Sequence, residues 1–208
     1  FMTTNLKSIQ IDGVYRQKEK PLENFYGPCL KQSIKYDRAV GYFRSTAYAL
    51  ITSDILPFIE NGGKIRLICS TEIPNEDVEA IYEAYKNPDQ SISNDISQLI
   101  TELNEQNDYP KVLASLIKFG YLDIKFIFKE NGIFHEKWGI FYDNNNNNIY
   151  FSGSYNETYS AWDHERNLEV LSTLCSWKGD ETKKDILDEI NEFELYWENS
   201  QQGSITKS

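Results

Sequence analysis

Two short pieces of this chain carry side chains that could do chemistry together: Phe134-His135-Glu136-Lys137-Trp138 and Ser152-Gly153-Ser154-Tyr155-Asn156-Glu157-Thr158. His135 and Lys137 stand two apart in a segment that reads as extended, so both side chains leave the same face. Glu136 points the opposite way and reads as structural. Lys137-Trp-Gly-Ile-Phe-Tyr-Asp143 and Asn148-Ile-Tyr-Phe-Ser-Gly153 read as two strands. The asparagine run between them is either a low-complexity patch or a hairpin loop. Its shortness, its aromatic flanks and the tolerance of asparagine for positive φ favour the loop. Such a hairpin returns Ser154 and Asn156 beside the His135–Lys137 face. An imidazole, an ammonium, a hydroxyl and an amide then converge. That set suits a phosphate: Lys137 supplies charge, Ser154 and Asn156 supply hydrogen bonds, and His135 supplies a nucleophile or proton carrier.

The elements that must position these groups follow from periodicity and punctuation. A helix is expected over 22–34, a short buried strand over Arg38–Phe43, and a helix from Ser45 to about Glu60 in which Pro57 is a candidate kink. Asn61-Gly62-Gly63 reads as a helix stop, and Lys64–Cys69 as a second strand. Helices are expected over 75–86, 92–105 and 111–119, and a strand over Tyr121–Phe128. A strand over 166–175 and an acidic amphipathic helix over 180–199 complete the series. Val14–Pro21 reads as a polar lead-in, and 201–208 as a polar tail or linker. Alternating β and α segments predict an α/β fold with a mixed, largely parallel central sheet, helices on both faces, and a helical insertion around 72–119. One domain over 10–200 accounts for the pattern.

Composition limits the function classes. The chain has 208 residues, 40 % hydrophobic and 14 % aromatic, which is globular and not disordered. No apolar run is long enough to span a membrane, and the first residues carry no signal pattern. Three scattered cysteines, Cys29, Cys69 and Cys175, suggest reduced thiols in a cytoplasmic protein, and two histidines without paired cysteines predict no metal site. The net charge of −11 argues at first against nucleic acid. However, residues 72–108 carry −9 and residues 180–198 carry −6, so the remainder, with the motif region, carries +4.

His-x-Lys followed by Gly-Ser-x-Asn resembles the signature of the phospholipase D superfamily, here over about residues 121–175. That superfamily includes lipid hydrolases, bacterial nucleases and metal-independent restriction endonucleases. Tyr36-Asp-Arg-Ala-Val-Gly-Tyr-Phe43, Asn61-Gly-Gly-Lys-Ile-Arg-Leu-Ile-Cys69 and Asn75-Glu-Asp77 further resemble the phospholipase-D-like domain found ahead of bacterial DEAD/DEAH-box helicases linked to restriction and phage defence. The resemblance implies a phosphodiesterase without metal or other cofactor. It implies DNA as substrate and a helicase domain or subunit as a further partner. It also implies a carboxylate that orients the histidine; Asn167-Leu168-Glu169 fits that pattern after a small insertion, with Glu165 as the alternative. In one departure, Tyr142 occupies the family's aspartate position and Asp143 follows one later.

Around this set, Arg44 is a candidate phosphate contact. Tyr155 and Trp162 could stack on bases or pack within the fold. His164-Glu165-Arg166 lacks a following Gly-Ser-x-Asn and reads as a loop. The implied mechanism needs two histidines and the chain has one motif, so a homodimer sharing one active site is expected, with the loops after Gly153, Tyr155 and Trp162 at its interface. A non-catalytic DNA-binding or dimerisation module and a lipid phosphodiesterase are the alternatives in other classes.

Overall fold

The structure is a computed structural model that describes residues 4–88, 96–199 and 205–207. Its strands are β1 (Val14–Arg16), β2 (Lys35–Val40), β3 (Lys64–Ser70), β4 (Leu122–Phe128), β5 (Lys137–Tyr142), β6 (Asn148–Gly153), β7 (Val170–Cys175) and β8 (Ile205–Lys207). They form a mixed sheet in the order β1-β7-β6-β5-β2-β3-β4-β8. The pairs β2–β3 and β3–β4 at the centre are parallel, and the flanking pairs are antiparallel. The parallel pairs require crossovers. The first uses α2 (Tyr48–Glu60), and the second uses α3 (Asn75–Lys86), α4 (Ile96–Glu105) and α5 (Tyr109–Lys118). The latter three are the insertion expected around 72–119.

Strand alternation sends Tyr36, Val40, Phe141 and Phe151 to one face, under α1 (Gly27–Lys31), α2 and α4–α6, where α6 is Tyr159–Trp162. It sends Ala39, Ile68, Trp138 and Ile140 to the other, against Phe193, Tyr196 and Trp197 of α7 (Asp180–Trp197). Helices therefore cover both faces, unequally. On the α7 side, fully buried Asp37 accepts two hydrogen bonds from Arg66 (2.7 and 2.8 Å), which also reaches Glu194 on α7. The Tyr142 hydroxyl donates to the same Asp37 carboxylate at 2.8 Å. The residue at the family's aspartate position thus serves the junction between sheet and helix.

Several edges differ from expectation. Val14–Arg16 is a strand pairing with β7, too short for periodicity to reveal. The helix over 22–34 begins as a π-helical turn, Leu22–Tyr26, and ends at Lys31. Pairing on β7 begins at Val170, because 166–169 is a loop, with Leu168 97 % exposed and Glu169 half-buried. Ile205–Lys207, read as tail, pairs with β4. The expected helix start at 92 and the tail residues 201–204 and 208 lie outside the described residues. No helix among the described residues is long and apolar enough to cross a membrane.

Candidate active site

Three of the candidate groups, Lys137, His135 and Asn156, meet at the C-terminal end of β2, where open α/β sheets place ligands. Lys137 opens β5 and pairs in register with Val40. The next residue, Gly41, lies against the histidine: a Cβ there would stand 3.2 Å from His135 Cδ2 and 3.3 Å from its Cα. Any side chain at 41 would therefore press on His135, and the hydroxyl of Ser70 donates to the Gly41 carbonyl from β3. At the following residue, the backbone N–H of Tyr42 donates to Asn156 Oδ1 at 3.0 Å. Three consecutive residues, 40 to 42, thus carry Lys137, His135 and Asn156.

The Tyr42 contact also decides which way the amide of Asn156 faces. A backbone N–H can only donate, so its partner must be the carbonyl oxygen, and Nδ2 is left to donate elsewhere. Asn156 lines a cleft of about 500 Å³ together with Tyr42, Arg44, Glu72, Thr158 and Asn167. Arg44 is exposed on that cleft wall. His135 is exposed, and its ring meets Tyr42 edge-on at 6.1 Å between centroids.

Lys137 Nζ donates to the His135 carbonyl at 3.0 Å, tying the two motif residues together. Burial pushes the Lys137 ammonium below the ordinary lysine range. The nearby Arg38 guanidinium pushes in the same direction, and the Glu169 carboxylate opposes both. Glu169 is therefore within electrostatic reach of Lys137. Its Oε1 accepts from Asn167 Nδ2 at 3.1 Å, and no hydrogen bond joins it to the His135 ring among the described residues. Glu165 is exposed, next to His164 at 3.9 Å in the loop after α6.

Gly153 and Ser154 turn the chain out of β6. A Cβ at Gly153 would stand 2.1 Å from the Val170 carbonyl oxygen, so only glycine lets β6 and β7 approach here. Ser154 then accepts from Val170 N–H through Oγ at 3.1 Å, and its own N–H donates to Val170 O at 2.9 Å. Its hydroxyl anchors the loop to β7. Glu136 accepts from Trp138 Nε1 and the Tyr196 hydroxyl on the opposite face, as its alternation predicts.

The structure corrects the reading of two aromatics. Tyr155 and Trp162 are 1 % and 2 % exposed, with ring centroids 4.5 Å apart, and the Tyr155 hydroxyl donates to Gln17. Buried in each other, they can neither stack on bases nor form a subunit interface. Sequence reasoning missed Arg38 and Glu157, an ion pair buried behind Asn156 at 2.9 Å. The signal was partial: Arg38 opens the apolar run to Phe43, and a charged residue that ends up buried almost always has a partner. Among the described residues no group of three or more His, Cys, Asp or Glu side chains is placed to share a metal ion.

Comparisons bear on the fold. Residues 31–195 match the family model described as cardiolipin synthase, PLD-like domain. No curated protein sequence matches the chain. Among solved structures it is similar to Nuc, a phospholipase D family member from Salmonella typhimurium, at 12 % identity and TM-score 0.46, covering 86 % of this chain and 90 % of that one. Yeast tyrosyl-DNA phosphodiesterase is similar at 10 % identity and TM-score 0.41, with 69 % of this chain and 25 % of that one covered. Phosphatidylserine synthase from Haemophilus influenzae Rd KW20 is similar at 13 % identity and TM-score 0.51, with 93 % and 40 % covered. The chain therefore spans only a quarter to two-fifths of the last two proteins, and at 13 % identity the likeness to the synthase is one of fold.

Proposed function

This chain belongs to the phospholipase D-like family, and from that premise we propose that it is a metal-independent phosphodiesterase, a nuclease that cleaves DNA through a phosphohistidine. The carrying observation is the convergence of Lys137, His135 and Asn156 on residues 40–42. In the first step His135 attacks phosphorus, forming an N–P bond as the bond to the leaving oxygen breaks. A second histidine gives that oxygen a proton. In the second step the same histidine takes a proton from water, which attacks phosphorus and frees His135. Lys137 and the Asn156 amide stabilise the charge that builds on the phosphoryl oxygens, Ser154 assists, and Glu169 orients His135. Arg44 lines the cleft, which supports its taking a neighbouring phosphate in this reading.

The second histidine comes from a second copy of the chain, giving a homodimer with one shared site. Restriction or phage defence in the cytoplasm, alongside a helicase domain or subunit, is the context the sequence motifs support. The three cysteines are buried free thiols, which suits a reducing compartment. The test is labelled DNA incubated in EDTA with wild type and with His135→Ala. Cleavage by wild type alone is the expected result. No cleavage by either leaves the non-catalytic module, and activity that returns only with magnesium sinks the phosphohistidine mechanism.

One observation favours a second reading. An apolar groove of about 690 Å³, lined by Val78, Ile81, Tyr82, Tyr85 and Phe126, adjoins the cleft at Ile73. A lipid chain would fit there, making the protein a lipid phosphodiesterase. Hydrolysis of phosphatidyl substrates in vesicles, with DNA left intact, would establish that reading instead.

A further inference from the structure

Arg38 is 1 % exposed and projects from the middle of β2 toward the helix-rich face. Its register partner across the strand pair is Gly139, so no side chain from β5 competes for the space. The guanidinium lies over the Phe151 ring at 5.0 Å. From there its Nε donates to Glu157 Oε2 at 2.9 Å, and its Nη2 donates to the Tyr155 carbonyl at 2.6 Å. The two bonds grip the residue before Asn156 and the residue after it. Glu157 is held further by the Tyr26 hydroxyl at 2.9 Å. Its backbone is tied to the end of β2: Glu157 N–H donates to Tyr42 O at 3.1 Å, and Arg44 N–H donates to Glu157 O at 2.9 Å.

We infer that Arg38 and Glu157 are positioning residues: their buried ion pair clamps the chain on both sides of Asn156 and holds its amide toward the phosphate. The clamp keeps Asn156 Oδ1 on the Tyr42 N–H, and so keeps Nδ2 free for the phosphoryl oxygen. Stability is a poor reason for the pair. A buried pair is often replaced by well-packed apolar residues at no loss. This one also leaves Arg38 Nη1 buried with no hydrogen-bond partner. Its two-point geometry around one functional residue is a better reason.

The role in catalysis rests on the phosphodiesterase reading, but the clamp itself can be measured without turnover. The probe is hydrogen exchange at the Tyr42 amide, with the β3 amides as internal reference. Arg38→Lys keeps the buried charge but cannot reach both acceptors. Tyr42 exchange should rise about tenfold or more in this variant and in Asn156→Ala, with β3 unchanged. The double variant Arg38→Met with Glu157→Leu removes both buried charges and should stay folded, with some loss of melting temperature from the unmet Tyr26 hydroxyl and Tyr155 carbonyl, and should show the same loss at Tyr42. On DNA both clamp variants should lower kcat about tenfold to a hundredfold with KM unchanged. In an Asn156→Ala background they should cost nothing more. Unchanged Tyr42 protection in the folded double variant would overturn the inference. So would a kcat loss that adds in full to that of Asn156→Ala. A wild type that turns over no phosphodiester refutes the function, while the exchange result still decides the clamp.

Discussion

A lysine that steadies a phosphoryl oxygen must keep its proton, and Lys137 keeps it against its surroundings. Burial depresses its pKa first, the Arg38 guanidinium depresses it further, and Glu169 raises it. Activity that needs the ammonium is lost as pH rises through that depressed pKa, so the alkaline limb of kcat/KM should fall below the ordinary lysine range. Glu169→Gln removes the opposing carboxylate. The limb should then move to lower pH. A pH–rate profile whose alkaline limb stays put or rises would take Glu169 out of the site's electrostatics. His135 makes the complementary case. It is exposed, so His135→Ala should abolish turnover and leave the melting temperature within about 2 °C of wild type. Acid-quench trapping on labelled DNA should give an acid-labile phosphoenzyme with wild type and none with the variant. These residue types and spacings were legible in the sequence, because His-x-Lys and Gly-Ser-x-Asn state their own chemistry. Tyr155 was not, because a residue between two functional ones carries no periodicity to say whether it faces the cleft or the core. Arg38 was not either, because β2 also carries Lys35 and Asp37, and nothing in the sequence says which of its charges is buried against Glu157.

At the scale of elements, the β5–β6 hairpin delivers the site, and one buried carboxylate closes it. Asp143 accepts from the N–H groups of Asn145 and Asn147 through Oδ1, and from Leu6 N–H and Asn147 Nδ2 through Oδ2. Asn146 takes φ of 59° within the turn, which asparagine tolerates. Asp143→Ala would leave several of these donors buried and unmet, so a loss of about 3 kcal/mol or more is expected from urea unfolding. A loss under about 1 kcal/mol would mean that the loop re-forms without it. Gly153 sits at the other end. Its added methyl would meet a backbone carbonyl and not a movable side chain. Gly153→Ala should therefore destabilise by about 2 kcal/mol or more and displace Ser154 and Asn156, lowering activity beyond the loss of folded protein. Activity per folded molecule equal to wild type would show that the strands yield elsewhere. The hairpin, β3 and β4 could be read from alternation and from punctuation by glycine and asparagine, whereas β2 runs Lys35–Val40, three residues ahead of the span expected, because its charged start hides the strand. The edge strands β1 and β8 could not: three residues give too little period, and their pairing depends on distant partners, β7 and β4.

At the scale of the whole molecule, the mechanism asks for two histidines on opposite sides of one phosphorus, and the chain has two in all. His164 is exposed in the loop after α6, with Glu165 beside it, and it has no companion lysine or Gly-Ser-x-Asn. On the proposed mechanism a twofold axis beside His135 would supply the missing group most simply, since each copy would then give His135, Lys137 and Asn156 to one pocket. The burial of Tyr155 and Trp162 removes them from that interface. The exposed loop carrying Leu168, which leads directly to Glu169, offers an apolar contact beside the site. The prediction is made by mixing subunits. Wild type equilibrated with rising amounts of His135→Ala should lose activity per wild-type chain in proportion to the wild-type share, because every heterodimer lacks one histidine. Independent sites would leave that activity unchanged at all ratios. Sedimentation should find dimers at micromolar concentration, and Leu168→Glu should shift them toward monomers with a matching fall in turnover. Fully active monomers would mean that a single copy completes the site, with His164 the first side chain to test.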